Sequence, residues 1–328
     1  MSRPLHGVRV IDLTRLLPGA YATQLLVDLG ADVIKIEDPR GGDGMRRFGT
    51  PFDLVNRGKK SITLDLRSPD ARPVLESLLT SADVAVHSFR PSTSRRLGVD
   101  VEALHAKYPR LICASITGFG YSGPRVETAA HDINYRALAG QLARGSTGSP
   151  RAPGPLIADI GAAMQAAIGI LAALVERQRS GAGAVVDAPI VEAARVWTNF
   201  PDTDDLESAC YTLYETADGQ WLALGALETK FWRGFCERIG RPDFVPRQRE
   251  RDIPELRAIL RSKRRDEWLR IFEGADVCLT PVLGVGQIPP GDEEPQPGPT
   301  LGADTDAVLA GIGVNAPWRD RLRSAGVI

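Results

Sequence analysis

From Val8 to Phe119, β-patterned runs alternate with helix-patterned ones. Val8 to Leu13 is rich in β-branched residues, Pro18-Gly19 breaks the chain, and Ala20 to Leu29 carries a helical pattern that Gly30 closes. Asp32 to Glu37 reads as a second strand. Strand, helix and strand in that order predict a βαβ unit and a parallel sheet. Gly41 to Gly58 reads as loop, Ser61 to Leu66 as a strand, and Ser68-Pro69-Asp70 as the start of a helix to Leu79. Val84 to Phe89 and Leu111 to Phe119 are two more strands. In such open sheets ligands bind beyond the carboxyl ends of the strands, which singles out the loops after Glu37, Phe89 and Thr117. The turn after the first strand holds no GxGxxG, so dinucleotide binding has little support.

Asp159 to Ser180 reads as one long helix of Ala, Gly, Ile and Leu, stopped by Gly181-Ala182-Gly183. A short strand at Val185 to Asp187 and a helix from Ile190 to Phe200 follow. The pattern changes at Pro201 to Asp205. Tyr211 to Tyr214 and Trp221 to Leu224 flank Ala217-Asp218-Gly219, a hairpin signal, and helical patterns cover 228–239, 253–260 and 265–272. This predicts a small α+β domain. Pro289 to Pro299 is loop by composition, and short helices at 305–309 and 318–323 end the chain.

Composition narrows the functional classes. A chain of 328 residues, 43% hydrophobic and 25% charged, fits one or two globular domains. A net charge of −1 offers no electrostatic case for nucleic acid, and the basic run Arg261 to Arg265 reads as the solvated face of a helix. No apolar run reaches the ~20 residues of a membrane span, and Met1 to Pro4 lacks the apolar core of a signal peptide. No membrane association and a cytoplasmic location are therefore expected. Cys113, Cys210, Cys236 and Cys278 form no CxxC pair and have no histidine at ligand spacing. They read as buried free thiols, and no structural zinc is expected.

The chemistry-bearing stretches are Ala130-His131-Asp132-Ile133-Asn134-Tyr135 and Leu156-Ile157-Ala158-Asp159, in a chain with four histidines. Each precedes a helix-patterned run. An imidazole and a carboxyl group brought together from two helix starts could hold one carbon between them, one removing a proton and the other returning it. Imidazole titrates near neutrality without tuning. The carboxyl would need its pKa raised by partial burial. Backbone N–H groups at a helix start could stabilise the negative oxygen that forms.

Several dispersed motifs occur in one order: GVRVIDLTRLLPGAYATQLLVDLGADVIKIE, NRGKKSITLDLR, FRPSTSRRLGVD, SITGFGYSGP, AHDINY, LIADIGAAM, YETADGQWLALGALE and LGADTDAVLAGIGV. With them the chain resembles the family III CoA-transferase (CaiB/BaiF) superfamily, and within it the α-methylacyl-CoA racemase branch, over nearly its whole length. The resemblance implies an α/β fold. A large Rossmann-like domain with an open, mostly parallel sheet is built from both chain ends, about 1–195 and 283–328, around a smaller α+β domain at about 205–282. It also implies an interlocked homodimer. It makes His131 and Asp159 the proton-transfer pair that inverts the α-carbon of a 2-methylacyl-CoA through an enolate, with Asp132 and Glu228 as supporting carboxylates. Coenzyme A then enters as part of the acyl-CoA substrate rather than as a tightly bound cofactor. Arg57, Lys59, Lys60 and Arg90 are the cations to pair with its phosphates, and Tyr135 lines the thioester pocket. A CoA-transferase with Asp159 as covalent nucleophile remains open, and so does a repurposed or non-catalytic member. The transferase branch uses a glycine-rich loop in the small domain that this chain lacks. Asp202 to Ala209 is shorter than the family's segment and holds no glycine, the connection after Thr280-Pro281-Val282 is shortened, and Ala130 stands where the family usually has glycine.

Overall fold

A computed structural model describes residues 3–142, 154–200, 206–288 and 296–328. The composition breaks read at 201–205 and 289–295 lie outside them. The chain divides into two compact units, Met1–Phe200 with Glu294–Ile328, and Pro201–Glu293.

The large unit begins with β1 (Arg9–Leu13), α1 (Leu16–Asp28), β2 (Asp32–Glu37), a 3-10 turn at Gly44–Phe48, α2 (Thr50–Asn56) and β3 (Lys60–Thr63). It continues through α3 (Ala71–Thr80), β4 (Val84–His87), α4 (Pro91–Leu97), α5 (Val101–Lys107) and β5 (Ile112–Ser115). Then come α6 (Asp132–Leu138), α7 (Ile157–Ser180), β6 (Val185–Asp187) and α8 (Ile190–Thr198). The small unit holds β7 (Tyr211–Glu215), β8 (Trp221–Gly225), α9 (Thr229–Arg238), α10 (Pro254–Leu260), α11 (Arg265–Ile271) and β9 (Leu279–Pro281). The chain then returns to the large unit as α12 (Thr305–Gly311) and α13 (Ala316–Ser324).

The six large-unit strands pair in the order β3-β2-β1-β4-β5-β6, every pair parallel, so the expected open parallel sheet is present. Alternation along β1 explains its two covered faces. Val10 joins a core with Val84, Ile112 and Ala162, Ala166 and Ile170 of α7. Ile11 joins the opposite core with Ile34, Ile62, Leu75, Leu78 and Leu309. The small unit's strands form the antiparallel sheet β7-β8-β9 over Tyr214, Trp232, Phe235 and Phe272.

Four expectations are corrected. Helix α1 starts at Leu16, because a proline in the first turn sacrifices an N–H that has no helical partner in any case. The stretch 41–58, read as loop, contains α2. Helix α7 is long and apolar enough to cross a membrane by composition alone, with a mean hydropathy of 1.8. Half of that window is buried in the fold, where α7 packs against α1 and α8. Cys278 is exposed, whereas the other three cysteines are buried.

Candidate active site

The order of strands reverses between β1 and β4, and the crevice beyond the carboxyl ends at such a point is where open α/β sheets bind ligands. A cavity of about 310 Å³ opens there. Arg15, Leu16 and Pro18 line it from the turn after β1, Ser88 and Arg90 from the turn after β4, and Gly118 from the loop after β5. His131 and Tyr135 enter from α6 and Asp159 from α7. A second cavity of about 180 Å³ lies over the ends of β2, β3 and β4 and shares Arg15 with the first.

His131 is the N-cap of α6, its backbone extended at φ −127° and ψ 175°. Its N–H donates to Asn134 Oδ1 at 3.0 Å, and the Asn134 N–H donates back to the His131 carbonyl at 2.8 Å. That reciprocal closure holds the helix start and leaves the imidazole exposed. Asp159 is the third residue of α7 and half-buried. Both residues thus stand at the helix starts the sequence suggested.

Asp132 joins the two starts. It is buried, and its Oδ1 accepts the N–H groups of Ala158 at 2.8 Å and Asp159 at 3.1 Å. Its Oδ2 lies 3.6 Å from Arg136 Nη1. One carboxylate at the beginning of α6 therefore caps α7, a favourable place for negative charge. It also raises its neighbour: the Asp159 carboxyl is pushed up to about 7, first by burial and then by the charge of Asp132. The same contacts bear on the start of α7 as a place for the negative oxygen. The first-turn N–H groups of α7 are taken, those of Ile157 and Ile160 by the Pro155 and Leu156 carbonyls, so they are closed to a substrate oxygen.

Tyr135 is buried, donates its hydroxyl to the Ala130 carbonyl at 3.1 Å and packs edge-on against Phe119. Burial and the Asp159 charge push its phenol up to about 12. Gly118 makes room for it, since a Cβ there would lie 2.5 Å from the Tyr135 hydroxyl.

The candidate cations separate. Arg90 precedes α4, lines the cavity and donates to the Glu127 carbonyl at 3.1 Å. Lys59, expected at a phosphate, is instead buried. Its Nζ reaches Asp12 Oδ2 at 3.2 Å, the Ala20 carbonyl at 2.9 Å, Thr23 Oγ1 at 2.7 Å and Asn56 Oδ1 at 3.0 Å, more acceptors than an ammonium has protons. Lys60 opens β3 and pairs with Asp32, which opens β2, at 2.6 Å. Both stand at the amino edge of the sheet, away from the crevice. Arg57 pairs at 2.9 Å with Asp28, the last residue of α1, on that same side. Arg15 and Arg96 line the cavities and were not singled out in the sequence. Arg15 follows β1 directly, so its place at a strand's carboxyl end was the available signal. Glu228 belongs to the small unit, where it is exposed and precedes α9. Among the described residues no cluster of His, Cys, Asp or Glu is placed to hold a metal ion.

The model of CoA-transferase family III matches residues 5–292. The chain is 36% identical to human alpha-methylacyl-CoA racemase over 303 residues, covering 85% of this chain and 78% of that protein. It is also 36% identical over 269 residues to succinyl-CoA–D-citramalate CoA-transferase of Chloroflexus aurantiacus, covering 74% of this chain and 66% of that one. Among solved structures, Rv3272 of Mycobacterium tuberculosis superposes with a TM-score of 0.80 at 29% identity, covering 94% of this chain and 99% of its own. A CaiB/BaiF family protein of Brucella suis superposes with a TM-score of 0.81 at 25% identity, covering 95% and 100%. The fold is that of CaiB/BaiF family proteins, and the matches are to CoA-utilising enzymes. The chain belongs to CoA-transferase family III.

Proposed function

We propose that this protein is an acyl-CoA racemase or epimerase that inverts the α-carbon of a 2-methyl-branched acyl-CoA. The observation that carries the reading is one cavity lined by both His131 and Asp159, with the Asp159 carboxyl pushed up to about 7. A group poised there gives and takes a proton with comparable ease at neutral pH. One of the two removes the α-proton, and the C–H electron pair moves onto the thioester oxygen as an enolate. The other delivers a proton to the opposite face, and the electron pair returns to carbon. Asp132 holds the start of α7 and keeps Asp159 high. The phosphates of CoA pair with Arg15, Arg90 and Arg96, guanidinium groups in cavities that meet at Arg15. The acyl end lies against Tyr135.

Deuterium wash-in at C2 of a 2-methylacyl-CoA in heavy water tests this, with His131→Ala and Asp159→Ala as controls. Exchange of both epimers in the wild type, and in both variants loss of their interconversion with exchange kept for one epimer at most, is the expected result. Absence of exchange on every branched acyl-CoA tried removes the reading.

The similarity to CoA-transferases supports a second reading, in which the Asp159 carboxylate attacks the thioester carbon and expels CoA as a thiolate, forming an acyl-aspartyl anhydride. Hydroxylamine trapping at Asp159 distinguishes the two. A homodimer is part of the proposal, supported by the exposed apolar side chains Met164, Ile168 and Val175 of α7 and Val196 and Trp197 of α8. Light scattering tests it, and a monomer mass at micromolar concentration would exclude it.

A further inference from the structure

The turn between β1 and α1 is built without the glycines that dinucleotide folds use there. Leu16, the first residue of α1, has φ +63°, a conformation that strains a leucine and persists only where the surroundings hold it. What holds it is a set of buried charges below the cavity. Asp43 is buried, and its Oδ1 accepts the Leu16 N–H at 3.0 Å and the Met45 N–H at 3.0 Å. Its Oδ2 lies 2.9 Å from Lys35 Nζ, which donates to the Thr14 carbonyl at 3.1 Å. Asp12 Oδ1 accepts both the N–H and the hydroxyl of Thr14, and Lys59 donates to the Ala20 carbonyl. Every one of these side chains is buried, and together they grip the chain from Thr14 into the first turn of α1. Arg15 sits between two of the gripped residues and lines both cavities, with its N–H on Ser88 Oγ at 2.8 Å.

We infer that Asp43 is a positioning residue for CoA binding, holding Leu16 in its left-handed conformation so that Arg15 is presented to the two cavities it lines. Asp43 does not line either cavity and acts through the Leu16 backbone. A thioester's CoA portion is held there before and after proton transfer alike, so the effect falls on binding and not on the chemical step. The inference rests on the reading of these cavities as the seat of the thioester.

The test is calorimetric titration of the full chain with free CoA, together with KM and kcat for C2 exchange. Asp43→Ala should weaken CoA binding and raise KM about tenfold, the scale of one charge-assisted hydrogen bond, with kcat within about twofold. In a Leu16→Gly background, where positive φ needs no clamp, the same substitution should change the CoA Kd by no more than about twofold. An unchanged Kd in Asp43→Ala, a fall in kcat alone, or an equal tenfold effect in both backgrounds overturns the inference. If Asp43→Ala does not fold, Leu16→Val asks the same question, because a β-branched residue resists positive φ. A Kd about fivefold weaker is then expected, and an unchanged one overturns the inference. A wild type that does not bind CoA removes the seat itself and the inference with it. A wild type that binds while the variants bind equally well removes only the positioning role.

Discussion

Two groups of carboxylates lie at the carboxyl edge of the same sheet and end up at opposite extremes. Asp12 is wholly buried, and burial alone would raise its pKa. Lys35 and Lys59, with hydrogen bonds from Thr14 and Thr23, bring it down to about 2. Asp159 is less buried, yet its neighbour is another carboxylate, and it rises to about 7. Burial is common to both, so the sign of the adjacent charge decides. One group is held as a buried ion, and the other is held near neutrality, as the proposed proton transfer requires.

The largest test of that comparison is Asp159→Asn. It should lower interconversion of the two epimers by roughly 10²–10⁴-fold, the usual contribution of a general acid or base. It should also stabilise the fold in neutral and alkaline solution. A carboxyl held above its unfolded value of 3.8 subtracts stability as pH climbs from about 4 to about 7, because the unfolded chain ionises first. Denaturant titration at pH 8 should therefore find the variant more stable by about 1–3 kcal/mol, with little gain at pH 4.

Lys59→Met attacks the other group. It takes one cation from buried Asp12, but it also relieves the fold of an ammonium whose pKa burial and the charge of Lys35 bring down to about 8. The net destabilisation read from urea unfolding at pH 7 should therefore fall below the ~3–5 kcal/mol of a broken buried pair, at about 1–3 kcal/mol. Asp12 is held below its unfolded value, so its stabilisation is full above about pH 4 and is lost as pH falls through about 2. The penalty should shrink over that window. A penalty independent of pH would mean that packing, not charge, is what was lost.

Asp132→Asn is subtler. The amide oxygen can still accept the Ala158 and Asp159 N–H groups, while the like charge disappears. Asp159 should then titrate lower, and exchange rates at pH 6 should shift by about three- to tenfold, in opposite directions for the two enantiomers. Identical shifts for both would argue that the two faces of the carbon are not served by different residues. Smallest of all, Arg57→Ala should leave the CoA Kd within about twofold, since that guanidinium is engaged with Asp28.

The sheet was legible because both its faces are covered and its strands read as apolar runs: β2 falls at 32–37 as the pattern indicates. The helix starts at His131 and Asp159 were legible from motif and periodicity together. The partners of the lysines were not. Lys59 and Lys60 are neighbours in sequence, yet one points into the protein and the other to solvent. Whether a cation meets a phosphate or a carboxylate depends on Asp12, 47 residues away. A signal did exist in Lys35, flanked by Ile34 and Ile36 within a central strand. A charge there has no way to water, and its presence alone announces buried partners. The role of Asp132 was hidden for a related reason. Capping a helix that begins at Ile157 is a tertiary relation, written in neither segment.

The last stretch of chain settles against the first sheet's edge. Asp304 accepts the Ser61 N–H, the Thr305 hydroxyl accepts the Thr63 N–H, and Gly302 donates to the Ser61 hydroxyl, all across more than 240 residues of separation. On a ribosome, β3 therefore waits with its hydrogen-bonding edge bare until more than 240 further residues have been made. A transcript cut short before Gly302 would release a chain whose sticky flank never closes, and chaperone demand or aggregation should rise abruptly at that point.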